Sequence, residues 1–297
     1  PNYQLGDLID VEVTPSDFGR ITAMTAKQVV TQRIREAERD IIYREYNEKI
    51  NDIVSGSIQK IDKGNVFIDI GKTEAILPSG EQPQNEKDTY KIHQVLKCYV
   101  SEVKNGTKGT QIVLSRTHPG LVRCLFQREV PEIEQGVVEI KNVAREAGSR
   151  TKIAVYSSDE NVDPQGACIG PKVFRVQNIS DELGGEKIDI VKYSDDPIAF
   201  INESLSPAKV ITTVIDEADK SAQVVVPSTQ LSLAIGKAGQ NVRLAAKLTG
   251  WRIDIVTSID DLKPVNHSED DILLDDDEEL PAEKMIEDAE EESGSEE

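Results

Sequence analysis

A lysine between two glycines has the clearest chemical potential in this sequence. Gly236, Lys237, Ala238 and Gly239 follow one another between two segments whose apolar spacing predicts short helices, at 231–235 and 240–249. Glycine removes side-chain bulk, so backbone N–H groups can approach a ligand closely, and the lysine supplies a cation at the same place. A Gly-x-x-Gly turn between helices is typical of modules that clamp about four nucleotides of RNA through their backbone.

The residues after this loop favour the same interpretation. A helix that starts near Gln240 and Asn241 presents unpaired N–H groups and the positive end of its dipole, and Arg243 lies one turn further along. We expect phosphate contacts here, with bases against the adjoining strand at 251–256. The spacing fits neither a Walker loop nor a Rossmann fingerprint. The plainer alternative is a helix corner that needs glycine only for its backbone angles.

The order of elements around the loop occurs twice. Ala167–Gly170 matches Leu233–Gly236 at an offset of 66 residues, and Ile188–Val191 matches Ile253–Val256 at an offset of 65. We therefore expect two similar α/β units, each with a helix, a strand pair, a helix–loop–helix and a last strand. The short link between them leaves no room for a flexible tether, so the units should pack together and form one continuous surface.

The first copy of the loop departs from the pattern. It reads Gly170, Pro171, Lys172, Val173, so a valine replaces the closing glycine. A β-branched residue restricts φ and adds bulk where a ligand would approach. We expect weaker RNA contact here, with Lys172 and Arg175 still contributing charge.

Residues 53–117 change to the two-residue period of strands. Five short runs separated by turn-forming residues predict strands at 53–61, 65–70, 74–77, 95–100 and 111–115. Five strands in this length favour a small OB-type barrel, and such barrels bind single strands with aromatic and basic residues on one face. Phe67 is the first candidate for this face, followed by Tyr90, His93 and Lys72. The alternative is that Phe67 fills the barrel core.

A long helix is predicted before the barrel, from an N-cap at Thr25 to about Asn51. Its charged faces are typical of a connector, and residues 1–20 look like the end of a preceding domain. Because the chain starts at Pro1 rather than at Met, we expect residues upstream to be missing.

The charge of the chain is concentrated at its end. The 297 residues include 34 basic and 54 acidic ones, for a net charge of −20, and residues 268–297 alone carry 16 acidic residues and one lysine. Like charges at this density predict a disordered tail, which would add solubility or mimic nucleic acid at a basic surface. The remaining residues are nearly neutral, so we expect few phosphate contacts and much base stacking.

Other classes of site find little support. The three cysteines are far apart and only three histidines are present, so we expect no zinc site, no disulfide framework, no catalytic centre and no cofactor. Separated thiols fit a reducing cytoplasm. No run of 18 apolar residues predicts a membrane span.

At this point the sequence resembles the bacterial NusA family of transcription termination and antitermination factors over about residues 5–257. The resemblance is carried by Asp17–Arg20 with Thr25–Gln28, Ile34–Glu38, Leu114–Pro119, Ala144–Glu146 with Gly148–Arg150, Asp163–Pro164 with Gly166–Cys168, and Leu233–Ala246. It implies a multidomain α+β protein with a helical connector, a five-stranded OB-type barrel of the S-one class and two tandem type II KH domains.

The resemblance also implies domain limits and partners. The ranges would be the end of a polymerase-binding domain and the connector at 1–52, the barrel at 53–118, the KH domains at 119–194 and 195–258, and the acidic tail at 259–297. The family is non-enzymatic and cytoplasmic. Its members bind nascent RNA and bacterial RNA polymerase, together with other Nus factors, and modulate pausing, termination and antitermination. Here we expect a monomer whose polymerase contact needs the missing N-terminal region.

The residues expected to bind RNA are Gly236, Lys237, Ala238, Gly239, Gln240, Asn241, Arg243, Gly170, Pro171, Lys172, Arg175, Arg150 and Phe67.

Two other functions fit the same physical features. An exoribonuclease resembling polynucleotide phosphorylase also combines KH and S-one modules, but it places a single KH module before the barrel and behind large catalytic domains. A ribosome-associated RNA-binding factor is compatible with the loop and the barrel alike.

Overall fold

The computed structural model of the protein describes residues 20–106 and 109–262. The predictions for residues 1–19 and for the acidic tail lie outside the described residues.

The connector helix, α1, spans Arg20–Asn47. The prediction that it begins at Thr25 is wrong, because residues 20–24 contain no glycine or proline and continue the helix toward the N-terminus. Its apolar stripe is largely exposed, with Val30, Ile34 and Ile41 each more than half accessible. The C-terminal third of the helix docks on the barrel, where the Arg39 carbonyl accepts a hydrogen bond from Thr110 at 3.3 Å and buried Tyr46 donates one to the Ile70 carbonyl at 3.0 Å.

The barrel has the five predicted strands. They are β1 (Ile53–Asp62), β2 (Asn65–Asp69), β3 (Glu74–Leu77), β4 (Val95–Gly106) and β5 (Gly109–Ser115). They close in the order β1-β2-β3-β5-β4, with a parallel β3–β5 pair and antiparallel neighbours elsewhere. Because successive side chains of a strand point to opposite faces, Val66 and Ile68 lie in the barrel core and Phe67 lies on the outside.

Two α/β units follow the barrel. The first comprises α2 (Pro119–Glu129), α3 (Pro131–Glu134), β6 (Val138–Glu146), β7 (Arg150–Ser157), α4 (Pro164–Ile169), α5 (Phe174–Glu182) and β8 (Lys187–Lys192). The second comprises α6 (Pro197–Ser204), β9 (Thr212–Asp216), β10 (Ser221–Val225), α7 (Leu231–Ile235), α8 (Gln240–Thr249) and β11 (Arg252–Val256). Each has a three-stranded sheet with an antiparallel hairpin and a parallel last strand, β6-β7-β8 and β9-β10-β11. The predicted duplication is therefore confirmed.

Charged groups hold the barrel to the first unit. Arg116 is buried at the end of the barrel, where it pairs with buried Glu86 and donates a hydrogen bond to the Glu182 carbonyl of α5 at 2.8 Å. Within the first unit, Arg145 pairs with fully buried Glu186 and also donates to the His118 carbonyl at 2.9 Å. A buried charge is tolerated when it is paired and hydrogen-bonded, so these contacts fix the position of the barrel against the first unit.

The two α/β units pack together, as predicted, and share a hydrophobic cluster. One buried cluster contains residues of both units: Ala144, Ala154, Val191, Phe200, Leu244 and Leu248. Two polar contacts support it, from the Asn142 amide to the Leu248 carbonyl at 2.8 Å and from the buried Lys152 ammonium to the Ser206 carbonyl at 2.9 Å. Burial lowers the pKa of Lys152, although its ion pair with Asp189 acts in the opposite direction.

Candidate nucleic-acid interface

The loop of the second unit has the backbone that its sequence predicts. Gly236 ends α7 with φ 76° and ψ 177°, and Ala238 and Gly239 follow in the left-handed region, with φ 52° and 74°. No side chain caps the N-terminus of α8, although the Gly239 and Gln240 N–H groups donate within the loop, to the Gly236 and Lys237 carbonyls. Lys237 is exposed and forms no ion pair with a described residue. The loop therefore presents a cation and a helix N-terminus at one place.

The two glycines serve different purposes. A Cβ atom on Gly236 would lie 2.8 Å from both the backbone nitrogen and the Cβ of Asn241, so this glycine allows α7 and α8 to approach each other. A Cβ on Gly239 would meet no atom within 4 Å. Gly239 is thus favoured by its positive φ alone, and its surroundings are open to a bound backbone.

Asn241 is a correction to the predicted site. Its side chain is buried, and its amide nitrogen donates to the carbonyl oxygens of Leu205, Leu233 and Ala234 at 3.0–3.2 Å. These bonds hold the end of α7 and the end of α6 against α8. Asn241 therefore supports the loop from behind and has no free N–H for RNA.

Gln240 and Arg243 are also engaged, although both lie near the surface. The Gln240 amide donates to Glu146 at 2.7 Å and to Ser149 at 2.8 Å. Arg243 pairs with Glu146 at 2.7 Å and donates to the Ala238 carbonyl at 3.3 Å. The hydrogen bond from Arg243 lowers the pKa of the Glu146 carboxyl. Both side chains thus bridge the loop to the β6–β7 turn of the first unit. Arg243 keeps about half of its side chain exposed, and its contact with RNA stays a prediction.

The loop of the first unit has the same backbone in spite of its valine. Gly170 has φ 72° and ψ 174°, and Lys172 and Val173 have φ 53° and 66°. Val173 therefore adopts a left-handed conformation that a β-branched residue rarely takes. Pro171 and Lys172 are exposed, as their predicted role requires, and so is Val173, which covers the place that Gly239 leaves open in the second unit.

Arg175 and Arg150 are further corrections. Arg175 packs its stem against Gly170, pairs with Glu132 at 2.9 Å and donates to the Ala167 carbonyl at 2.6 Å. Arg150 binds both carboxylate oxygens of Asp189, at 2.8 and 3.1 Å. Both guanidinium groups are mostly buried. Their charges are neutralised inside the first unit, so Lys172 is the predicted cation of this copy that remains exposed.

Phe67 lies on the outer face of the barrel, so the alternative that it fills the core is wrong. Its ring is half-buried, and the Lys60 ammonium lies 4.2 Å from the ring centroid. It lines a cleft of about 680 Å³ together with Ile76, Lys104 and Gln111. Lys60 pairs with Glu74 at 3.5 Å and Lys104 with Glu102 at 3.0 Å, so this face offers a base the half-exposed ring of Phe67 more than free charge.

The other barrel candidates differ in accessibility. Tyr90 is buried and donates to Glu86 at 2.9 Å, so it cannot stack on RNA, and burial raises the pKa of its hydroxyl. His93 is exposed. Lys72 is exposed but pairs with Glu45 of α1 at 2.6 Å.

Sequence reasoning missed some neighbours of these residues. Lys60 lies opposite Phe67 in the β1–β2 register, which the strand pattern could have indicated. Phe174, directly after the first loop, is 63% exposed. Its position in the first turn of the helix that follows the loop is the sequence signal that could have indicated it.

None of the described helices is long and apolar enough to cross a membrane. Within residues 20–106 and 109–262, no group of three or more His, Cys, Asp or Glu side chains could hold a metal ion.

An OB-type barrel followed by two α/β units with Gly-x-x-Gly-type loops defines a modular RNA-binding protein of the S-one and KH class. Family models agree with this class and match successive parts of the chain. They are the NusA N-terminal domain (residues 1–40), the S1 RNA binding domain (48–116), the NusA-like first KH domain (116–193) and the NusA-like second KH domain (197–263).

Several curated relatives carry the name transcription termination/antitermination protein NusA. The one from Bacillus subtilis is 56% identical over 260 residues, which are 88% of this chain and 70% of the relative. The one from Mycobacterium tuberculosis is 51% identical over 262 residues, 85% of this chain and 75% of the relative. The one from Thermus thermophilus is 46% identical over 254 residues, 85% of this chain and 65% of the relative. The chain belongs to the NusA family of transcription termination/antitermination proteins.

Proposed function

We propose that this chain holds single-stranded nascent RNA through the loop of its second KH unit and the outer face of its barrel. In doing so it would act with bacterial RNA polymerase to modulate pausing, termination and antitermination. The observation that carries this proposal is the loop at residues 236–239. There an exposed lysine, an open glycine and an uncapped helix N-terminus lie together.

Each part of the loop has a role in this proposal. Lys237 pairs with a phosphate, the backbone of Ala238 and Gly239 lies against the sugar–phosphate chain, and the N-terminus of α8 adds its N–H groups. Gly236, Asn241 and Arg243 hold the loop in shape. Phe67 stacks a base at the barrel. The first loop contributes Lys172 and the backbone of Gly170 and Pro171, with weaker contact because of Val173.

We further propose the domain limits given above, 1–52, 53–118, 119–194, 195–258 and 259–297. The protein acts as a non-enzymatic, monomeric binding factor of the bacterial cytoplasm, together with other Nus factors. The buried ion pairs support a binding role rather than a catalytic one. The buried carboxylates of Glu86 and Glu186 each pair with an arginine, so both serve the structure.

Equilibrium binding tests the role of the loop. A fluorescein-labelled, unstructured RNA of about five nucleotides is titrated with the intact chain, and anisotropy gives Kd. Lys237→Glu and Gly239→Asp should each weaken binding at least about tenfold, because one reverses a phosphate contact and the other places a carboxylate against the RNA backbone. Aspartate tolerates the left-handed backbone at position 239, so the variant should fold.

Lys27→Glu is the matched control, since Lys27 is exposed on α1 and the charge change is the same. If the loop variants bind RNA as tightly as the unmodified chain, the loop is an ordinary helix corner. The role in transcription is tested separately by co-purification of the tagged chain with RNA polymerase rather than with ribosomes from bacterial extract.

A further inference from the structure

A cleft lies where the barrel and both KH units meet, away from the loops described above. It measures about 480 Å³ and is lined by Tyr99 of β4, His118 and Arg123 at the start of α2, Asn142 of β6 and Lys247 of α8. The described residues that line this junction cleft include no acidic side chain.

The junction cleft contains a fixed aromatic platform. The rings of Tyr99 and His118 are stacked, with centroids 4.4 Å apart and planes 10° apart. Tyr99 is buried and donates to Asn51 at 2.9 Å, while Nδ1 of His118 accepts from the Gly120 N–H at 3.0 Å. The imidazole is therefore held in one orientation, yet His118 as a whole is exposed. A flat ring held in this way suits stacking by a base.

Two cations flank the platform. Arg123 is exposed and directs two N–H groups to the carbonyls of Ile140 and Lys141, at 2.7 and 3.2 Å, which fixes its guanidinium along β6. Lys247 is exposed as well. Neither side chain forms an ion pair with a described residue. Lys141 contributes little charge, because its ammonium pairs with Glu139 and lies over the ring of Tyr156.

The helix α8 connects the junction cleft with the loop of the second unit. Arg243 binds the Ala238 carbonyl of that loop and remains about half exposed, and Lys247 follows it by four residues, on the same side of the helix. A strand whose phosphate is held at the loop would thus pass the Arg243–Glu146 ion pair and reach Lys247, which is unpaired among the described residues, at the cleft.

We propose that the junction cleft is a second RNA-binding site, which takes one nucleotide of the strand held at the loop. Its base stacks on His118 and its phosphate binds Arg123 and Lys247. This inference rests on the proposed function. The stacked ring and the continuity along α8 favour RNA over an acidic peptide. Because residues of the barrel and of both units line the cleft, RNA bound there would contact all three of them at once.

RNA length separates this site from the loop. Anisotropy is measured with the intact chain and unstructured RNAs of about 5 and 15 nucleotides, because the loop alone spans about four. Lys247→Glu and His118→Asn should each weaken the binding of the longer RNA about three- to tenfold and leave the binding of the shorter RNA unchanged. Lys247→Glu should also lower the slope of log affinity against log salt concentration by about 0.7, because one phosphate contact is lost. Asparagine keeps a side-chain oxygen that can cap the N-terminus of α2, but it lacks the aromatic ring on which a base would stack. Thermal melts confirm folding, and Lys27→Glu again controls for charge.

The outcomes are distinguishable. If Lys237→Glu weakens both RNAs but neither cleft variant weakens the longer one, the proposed function stands and the cleft site is rejected. If the unmodified chain binds neither RNA, the proposed function itself fails. A labelled Asp/Glu-rich peptide is the last arm. If it binds in a manner that depends on Lys247 while the longer RNA does not, the cleft is a protein-docking surface and the proposal is overturned.

Discussion

The two glycines of the second loop should differ sharply when each is replaced by alanine. Gly236 has φ 76° and ψ 177°, a region that is essentially restricted to glycine and costs other residues about 1–3 kcal/mol. Its new methyl group would also meet the backbone of Asn241 at 2.8 Å. This displaces a side-chain amide whose two hydrogens serve three carbonyl oxygens, worth about 2 kcal/mol in all. Gly236→Ala should therefore destabilise the second unit by about 3–5 kcal/mol.

Gly239→Ala should cost only about 1–2 kcal/mol, because its φ of 74° and ψ of 10° lie in the left-handed region and nothing surrounds the new methyl group. Urea unfolding followed by the fluorescence of Trp251, the single tryptophan, reports on this unit. With an m-value of about 2 kcal/mol/M, the midpoint should fall by about 1.5–2.5 M in Gly236→Ala and by about 0.5–1 M in Gly239→Ala.

A third glycine provides the matched control. Gly250 ends α8 with φ 76° and ψ 17°, and a Cβ there would also meet no atom within 4 Å. Gly250→Ala should thus lose as much stability as Gly239→Ala. Equal midpoints for Gly236→Ala and the other two variants would refute the close approach of α7 and α8.

Three further predictions follow from the described residues. Val173→Gly removes a β-branched residue from the left-handed region, so it should bind RNA more tightly at the first loop without loss of thermal stability; unchanged or weaker anisotropy titrations would contradict this. Burial raises the pKa of the Cys98 and Cys168 thiols to about 12, so both should resist iodoacetamide at pH 8 until urea unfolds the chain, as mass spectrometry would show; rapid labelling without urea would disprove it. Because Arg243 lowers the pKa of Glu146, this carboxylate stabilises the fold above its unfolded pKa and ceases to do so as the pH falls through its lowered folded pKa. The stability lost in Glu146→Gln should therefore shrink toward acid in urea titrations at several pH values, and a constant loss would count against the pairing.

The loop and the barrel were predictable because their signals are local. The positive φ values at Gly236 and Gly239 favour glycine, and the spacing of the two glycines is visible in four consecutive residues. The two-residue period of the barrel strands similarly follows from neighbouring residues. Thr25 shows the limit of such reasoning, since an N-cap residue type does not start a helix when the preceding residues continue it.

The sequence by itself determined the class of the protein, the barrel, the duplication of the α/β unit and the position of the loops. Only the tertiary structure decided which side chains are free to meet RNA. Arg243 finds Glu146 across 97 residues of sequence, Arg150 finds Asp189 across 39, and Asn241 turns inward to carbonyl groups. The physical reason is that backbone conformation depends mainly on adjacent residues. The pairing of a charge depends instead on distances of a few ångströms, which the packing of remote elements sets.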